Sequence, residues 1–395
     1  MSVNNMTFEQ SATLLTALVK QATGETVLTP TDETDFVTIA QTTLKTGYDI
    51  MATAIGQVLS RTIFSSRPYT AAFRGLQIDS EKFGGHVRKI NYIDLDIEDD
   101  DRYSLTDGSS VDPWVVRKPK AIQTNFYGSN THQIHYTIYR DQLDAAFQSS
   151  SQFGSYMAGL VQNIANQIEQ INETERRLAL HNLMGGVIDY NNNVIHLITQ
   201  YRSETGNATI TTSNWMSETE FPFFVKWIYG CLNSTIDMMR ERSIKFHENI
   251  ATYNGVSAKP IMRHTPRANL KAYLLNTLMR HVDSSVMSSV FHNELLETVD
   301  FESVNFWQSI DAPASLSVTP VIMKSDGTFD DGTAVSEDYV VGVLFDEEAA
   351  GTTIISNWSA TTPFNPRGGY WNQYYHWNVR SWNDFTENCI VLLMD

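Results

Sequence analysis

Side chains able to do chemistry cluster first in the acidic run Asp94, Asp96, Glu98, Asp99, Asp100 and Asp101. Carboxylate oxygens suit a hard cation such as calcium. The run lacks the spaced ligands and glycine of a calcium loop, so a solvated or neighbour-paired tip is expected. His132 and His135 lie in an alternating stretch, Thr131 to Tyr136. Residues three apart on a strand point to opposite faces, which argues against a shared metal. The glycine pairs at 84–85, 185–186 and 368–369 lack the Lys-Ser/Thr or third glycine of a phosphate loop and read as turns. Cys231 and Cys389 are the only cysteines, far apart, so neither a disulfide framework nor a cysteine zinc site is indicated. A glycosidase would need two carboxylates flanking an aromatic-lined site. Acids and aromatics abound, but no local pattern selects two, so no catalytic, cofactor or metal residue is assigned.

Composition points away from several other classes. The net charge of −17 repels nucleic acid and anionic lipid rather than attracting them. Charged residues make up 18% of the chain, below the roughly 25% of an average soluble protein. Interface cores are depleted of charge and rich in aromatics, so a chain working inside a large contact network would have this composition. The N-terminal residues carry no signal-peptide pattern, and no apolar run approaches the ~18 residues of a membrane span. A reducing or cytosolic compartment is expected.

The elements that would position these residues follow from periodicity. Phe8, Leu14, Leu15, Leu18 and Val19 predict a helix over 7–23, and a second helical stretch runs over about 33–62 before Arg67-Pro68. From Phe73 to Tyr127 the sequence becomes extended and turn-rich. Its outgoing leg alternates through Val87, Ile90, Tyr92 and Leu95, and its return leg carries Val111, Trp114, Val116, Ile122 and Phe126. Two such legs with a charged tip predict a long β-hairpin, too small to be stable alone. Phe153, Met157, Leu160, Ile164, Ile168, Ile171 and Leu178 predict one long helix over about 150–184, ended by Gly185-Gly186. Its far face, with Gln162, Asn166, Glu169, Glu173 and Arg176, is expected to be wet, and Glu173 to pair with Arg177. Strands and turns are expected over 187–217, including Val187, Ile188, Leu197 and Ile198. A helix is expected over 218–242 with Ser217 or Thr219 as cap, then a strand near 257–263, a helix from Leu270 to Met279, a loop or hairpin at 326–332 and closing strands.

Near the end of the chain, Asn365, Pro366, Arg367, Gly368, Gly369, Tyr370 and Trp371, with Tyr374, Tyr375 and His376, combine a rigid turn with an aromatic strand. By itself this segment could stack on a sugar or form a core strand plus an interface. The cassette resembles one in the major capsid proteins of tailed bacteriophages, nearest to those of small podoviruses of Gram-positive hosts. That resemblance implies an α+β chain with the tailed-phage major capsid fold. Its parts would be an N-terminal arm at 1–72, an extension-loop hairpin at 73–130, a discontinuous peripheral domain at 131–199 and 337–395 containing the spine helix, and an axial domain at 200–336. It implies a non-enzymatic subunit that assembles into an icosahedral or prolate head around double-stranded DNA, without a cofactor. Hexameric and pentameric capsomers of the same chain, portal and scaffold proteins, host-cytoplasmic assembly and residence in the virion are implied as well. Some such relatives carry an immunoglobulin-like domain after the cassette; this sequence ends at Asp395, so surface decoration by the same chain is not expected. On this reading Trp114, Arg117, Lys118 and Lys120, with Asp99, Asp100 and Asp101, contact a neighbouring subunit. Rival readings are an encapsulin-type compartment shell, a tail protein, and a carbohydrate-active enzyme.

Overall fold

A computed structural model describes residues 8–24, 29–46, 50, 54–55, 72–78, 87–95, 97, 100, 102, 105–114, 116, 118, 120–126, 128–253, 256–257, 259–278 and 300–395. Gly84-Gly85, Asp96, Glu98, Asp99, Asp101, Arg117, Met279, residues 47–49, 51–53 and 56–62 of the second expected helix, and Arg67-Pro68 after it lie outside the described residues.

Among the described residues the main helices, in chain order, are α1 (Phe8–Thr23), α2 (Glu33–Thr46), α3 (Arg140–Ala146), α4 (Ser150–Tyr190), α5 (Leu197–Thr205) and α6 (Phe221–Arg240). The strands begin with β1 (Gln77–Ile78), β2 (Val87–Tyr92), β3 (Ala121–Phe126), β4 (Asn130–Tyr139) and β5 (Val194–His196). After α6 come β6 (Thr252–Tyr253), β7 (Val256–Ser257), β8 (Leu270–Leu275), β9 (Asp300–Val304), β10 (Leu316–Val318), β11 (Val321–Met323), β12 (Phe329–Asp331) and β13 (Val335–Glu337). The chain closes with β14 (Val340–Asp346), β15 (Ala350–Thr361), β16 (Tyr370–Asn383) and β17 (Cys389–Leu393).

The chain divides into two compact units, each drawn from three separate stretches. The first holds residues 1–84, 129–175 and 352–380. Here α1 buries Leu15, Leu18 and Val19, spaced at three and four, and α2 buries Phe36, Ala40 and Leu44. The backbone N–H of Asp35 donates to Asp32 Oδ1 at 2.8 Å, capping the start of α2. These stripes meet Leu143, Phe147, Phe153, Met157 and Ile164 in one core, with the Phe36 and Phe153 rings at 5.6 Å. The sheet of this unit has the order β1-β15-β16-β4. β16 runs antiparallel to β4 over ten pairs, from Tyr370 opposite Tyr139 to Val379 opposite Asn130.

The second unit holds residues 85–128, 176–351 and 381–395. Its five-stranded sheet has the order β5-β17-β14-β8-β9. Every residue of β14 and β17 is buried, the near-continuous apolar run expected of strands covered on both faces. On one side α5 and α6 contribute Leu197, Tyr201, Phe224, Ile228 and Ile236 to a core with Leu344, Ile390 and Leu392.

Several expectations are corrected. The helix α4 does not stop at Gly185-Gly186 but continues to Tyr190. A Cβ on Gly185 would sit 2.4 Å from Val318 Cγ1, and one on Gly186 2.4 Å from Phe385 Cε1. These glycines serve close packing against neighbouring side chains, not a turn. Val187 and Ile188 are therefore helical, and Leu197 and Ile198 open α5 rather than a strand. The expected helix from Leu270 begins as the strand β8, because its run pairs antiparallel with β14 and parallel with β9 and is buried between them. The far face of α4 is not wet throughout: Glu173 and Arg176 are buried, whereas Leu178, expected in the apolar stripe, is exposed. Arg177 donates from Nη1 to the carbonyls of Phe306 and Trp307 at 2.7 and 2.9 Å. Helix α6 has Glu220, not Ser217 or Thr219, at its N-cap, with Pro222 in its first turn.

Candidate assembly surface

Among the described residues, strands β2 and β3 form a two-stranded antiparallel sheet, from Val87 opposite Phe126 to Tyr92 opposite Ala121. Alternation sorts their side chains cleanly. Lys89, Asn91, Ile122 and Phe126 turn inward onto the second unit, while Ile90 and Tyr92 face out and are 48% and 74% exposed.

The inward face is anchored by charge. Lys89 Nζ lies 2.9 Å from Asp384 Oδ2 and 3.0 Å from Glu348 Oε2, and it donates to Glu387. Arg263 Nη2 sits 3.0 Å from Glu387 and donates to Asn91 Oδ1 at 2.8 Å, while its Nε donates to the Thr386 carbonyl at 2.9 Å. Burial works against the Lys89 ammonium, but the fields of Asp384 and Glu387 outweigh it and hold its pKa above the usual lysine range. Burial also disfavours the Asp384 carboxylate, yet Lys89 and the hydrogen bonds from Thr386 hold its pKa below the ordinary value. Glu387 is raised, because burial there exceeds the pull of Lys89 and Arg263. A ring contact adds to the anchor, with Phe126 and Phe329 edge to face at 6.2 Å.

Beyond Tyr92 the pairing extends to Ile93, whose N–H donates to the Lys120 carbonyl at 2.9 Å. Further out, large apolar side chains face solvent: Leu95, Ile97, Trp114 and Val116 are 66%, 99%, 84% and 78% exposed. Lone exposed hydrophobes are ordinary, and a concentration of them in one segment is the kind of feature that interaction surfaces show. Of the residues expected to contact a neighbour, Trp114, Lys118 and Lys120 are exposed here, and Asp100 is exposed and paired with Arg102, whose Nε donates to Asp100 Oδ2 at 2.7 Å. Arg102 holds the Asp100 carboxyl below its usual pKa. Asp94 is held locally by Arg242 Nη2 at 2.5 Å. Sequence reasoning missed Lys89, Asp384, Glu387 and Arg263, since nothing in local spacing links residues so far apart in the chain.

In the first unit, the cassette forms the turn from β15 into β16. Asn365 Oδ1 accepts from the Arg367 and Gly368 N–H groups at 3.1 and 3.2 Å, and its carbonyl accepts from Gly369 N–H at 2.8 Å. Asn365 Nδ2 donates to the Tyr370 hydroxyl at 3.1 Å. Gly369 adopts φ +68°, which favours glycine. Pro366 presets the backbone at the start of this turn. Trp371 is 1% exposed and packs on Phe364, with centroids 4.7 Å apart. Tyr374 stacks on His135 and Tyr375 on Tyr136. His132 Nε2 meets Glu175 Oε1 at 3.0 Å, so the two histidines face different partners. A groove of about 650 Å³ between α3 and α4, lined by Gln142, Ala146, Gln152, Tyr156 and Leu160 among others, carries no charged, His or Cys side chain that could act as acid, base or nucleophile.

No curated protein matches the chain. Among solved structures, the capsid of Staphylococcus phage Andhra superposes with a TM-score of 0.52 at 10% identity, covering 82% of this chain and 84% of that one. A chain from a structure of native bacteriophage P68, described as that of its head fiber and inner core protein gp22, gives 0.51 at 11% identity, covering 82% and 85%. At such identities these likenesses establish the fold alone, a mixed helix-and-sheet capsid architecture. The sequence itself carries the family assignment: the model of the Phi29-like phage major capsid protein family matches residues 15–393. This chain belongs to that family and is a shell-forming structural protein of a bacteriophage.

Proposed function

We propose that this subunit closes an icosahedral or prolate head around double-stranded DNA, assembling as hexameric and pentameric capsomers in the host cytoplasm, with portal and scaffold proteins as further partners. The hairpin 73–130 acts as an extension loop that crosses onto a neighbouring copy. Residues 1–72 serve as an N-terminal arm, 131–199 and 337–395 as the peripheral domain, and 200–336 as the axial domain.

One observation carries this reading. The hairpin is clamped at its root by buried charge and bare at its far end, where Trp114, Val116 and Ile97 are exposed. A surface loop of a free-standing protein has no reason to combine a rigid base with an apolar tip, because each exposed side chain forgoes ~1.5–3 kcal/mol of burial. In a closed symmetric shell that stabilisation is recovered at every copy, and overlapping arms turn modest contacts into an interlocked network. The charge of −17 fits a wall that contains DNA without gripping it. The family match favours this reading over an encapsulin or a carbohydrate-active enzyme.

The test replaces residues 94–118 by a short Asn-Gly turn joining the two legs. The subunit is expected to keep a cooperative unfolding transition while closed shells vanish from electron micrographs. Normal shells from this deletion would remove the role given to the hairpin.

A further inference from the structure

The clamp at the hairpin root holds the parts of an amide-forming site. An amine and a carboxyl group are in contact there, with Lys89 Nζ 2.9 Å from Asp384 Oδ2. The other oxygen, Asp384 Oδ1, accepts from the Thr386 N–H at 2.9 Å and from the Thr386 hydroxyl at 2.7 Å. Two donors on one oxygen polarise the carboxyl group and are placed to hold the charge that develops on that oxygen when a nucleophile adds to Cγ. Glu387 accepts a hydrogen bond from Lys89 Nζ, so a base touches the same nitrogen. Burial raises the Glu387 pKa, which makes its carboxylate a stronger proton acceptor than an exposed one.

Dryness and charge balance set this cluster apart from an ordinary ion pair. The side chains of Asp384, Glu387 and Lys89 are 2%, 6% and 16% exposed, so little water reaches the carboxyl group. Lys324 and Asp330, by contrast, are 49% and 60% exposed and form a solvated pair. An ammonium and a carboxylate held in a dry site carry a desolvation cost on both sides. Condensing them to a neutral amide abolishes both charges and expels one water. The charge that remains is matched, because Arg263 Nη2 stays beside Glu387 at 3.0 Å.

We infer that Lys89 and Asp384 of one and the same chain join in an isopeptide bond, with Glu387 as the catalytic acid and base. One ammonium proton passes to Asp384 Oδ2, and the freed amine attacks Cγ while Thr386 holds the negative charge on Oδ1. Glu387 takes a second proton from the nitrogen and delivers it to Oδ2, the C–Oδ2 bond breaks, and that oxygen departs as water. The third hydrogen stays on the amide nitrogen and Glu387 returns to its starting state, so no oxidant or other reactant is needed. Groups held in contact and well oriented react as if at effective concentrations of ~10⁵–10⁸ M. The fields that keep Lys89 protonated make the neutral amine scarce. The bond therefore accumulates slowly, and a freshly folded subunit holds the ion pair. Once formed, it fixes β2 to the turn between β16 and β17, wherever the far end of the hairpin lies.

Intact-mass spectrometry of the full chain, denatured after increasing times at neutral pH, reads the reaction directly. The expected result is the loss of the mass of one water, growing over days, with a branched peptide joining the Lys89 and Asp384 segments after digestion. Lys89→Arg keeps a cation and should retain the full mass. Asp384→Asn should lose ammonia in place of water. Glu387→Gln, checked for cooperative urea unfolding, should slow the loss ~100-fold or more; an unchanged rate would overturn the catalytic role of Glu387. The unsubstituted chain decides the central point even where a variant fails to fold. Full mass after prolonged incubation, in free subunits and in assembled shells alike, would overturn the bond, and a water loss that maps elsewhere or persists in Lys89→Arg would overturn its assignment to this pair.

Discussion

Replacing Lys89 by Met isolates the hairpin root from the rest of the fold. The substitution keeps most of the apolar stem and removes the ammonium that faces Asp384 at 2.9 Å, Glu348 at 3.0 Å and Glu387. The Lys89 side chain is 16% exposed, Asp384 2% and Glu387 6%, so water can replace little of the lost interaction at the two buried acids. Breaking a buried ion pair by removing one partner costs ~3–5 kcal/mol, because the other charge is left uncompensated. Arg263 still faces Glu387 at 3.0 Å, which leaves Asp384 as the main uncompensated group and places the expected loss near the lower end, about 3 kcal/mol. Urea unfolding of the unassembled subunit measures it, with the midpoint falling at unchanged slope. Adding Asp384→Asn to Lys89→Met should recover about half of the loss, since an amide is far cheaper to bury than an unpaired carboxylate. Assembly yield should fall more steeply than stability, because the root sets the direction of the arm. A loss below about 1 kcal/mol would place this cluster with ordinary surface pairs and refute the clamp.

Acid should weaken the fold through His181. Burial, helped by Arg177, holds its pKa down to about 4 from the ordinary 6.5, so the unfolded chain takes up its proton first as pH falls. The stability present above pH 6.5 is therefore lost between 6.5 and about 4, up to ~3 kcal/mol; thermal melts across that window should show it, and His181→Asn should flatten the profile. Gly186→Ala gains up to ~1 kcal/mol of helix propensity but drives a Cβ to 2.4 Å from Phe385, itself packed on Tyr190. A net loss of about 1–2 kcal/mol by urea unfolding is expected. Trp371→Ala, at 1% exposure beside Phe364, should cost ~3–5 kcal/mol in the same assay, and a loss under 1 kcal/mol would show the cassette strand to be dispensable for the fold.

Local pattern was legible wherever one face alone is buried. The spacing of Leu15, Leu18 and Val19 in α1, the extended character of the leg through Val87, Ile90 and Tyr92, and the Asn-Pro-Arg-Gly-Gly turn all state their geometry in a few residues. Legibility failed where tertiary packing reverses a local rule. Gly185-Gly186 look like a stop, yet lie within α4 because Val318 and Phe385 occupy the space a side chain would need. Leu270 to Leu275 is apolar throughout, and only its pairing with β14 and β9 makes it a strand rather than a buried helix. The exposed Trp114 was found from residue type and its place on the return leg. The Lys89 cluster was not found, because Asp384 and Glu387 lie nearly 300 residues away along the chain.

The measurement that bears most directly on the central claim is an electron cryomicroscopy map of particles assembled from this chain with its neighbouring phage genes. Closed shells should appear in which density for the β2–β3 hairpin leaves its own subunit and lies across an adjacent copy, with Trp114 covered. Particles that never close, or shells in which every hairpin folds back on its own subunit with Trp114 open to solvent, would contradict the account.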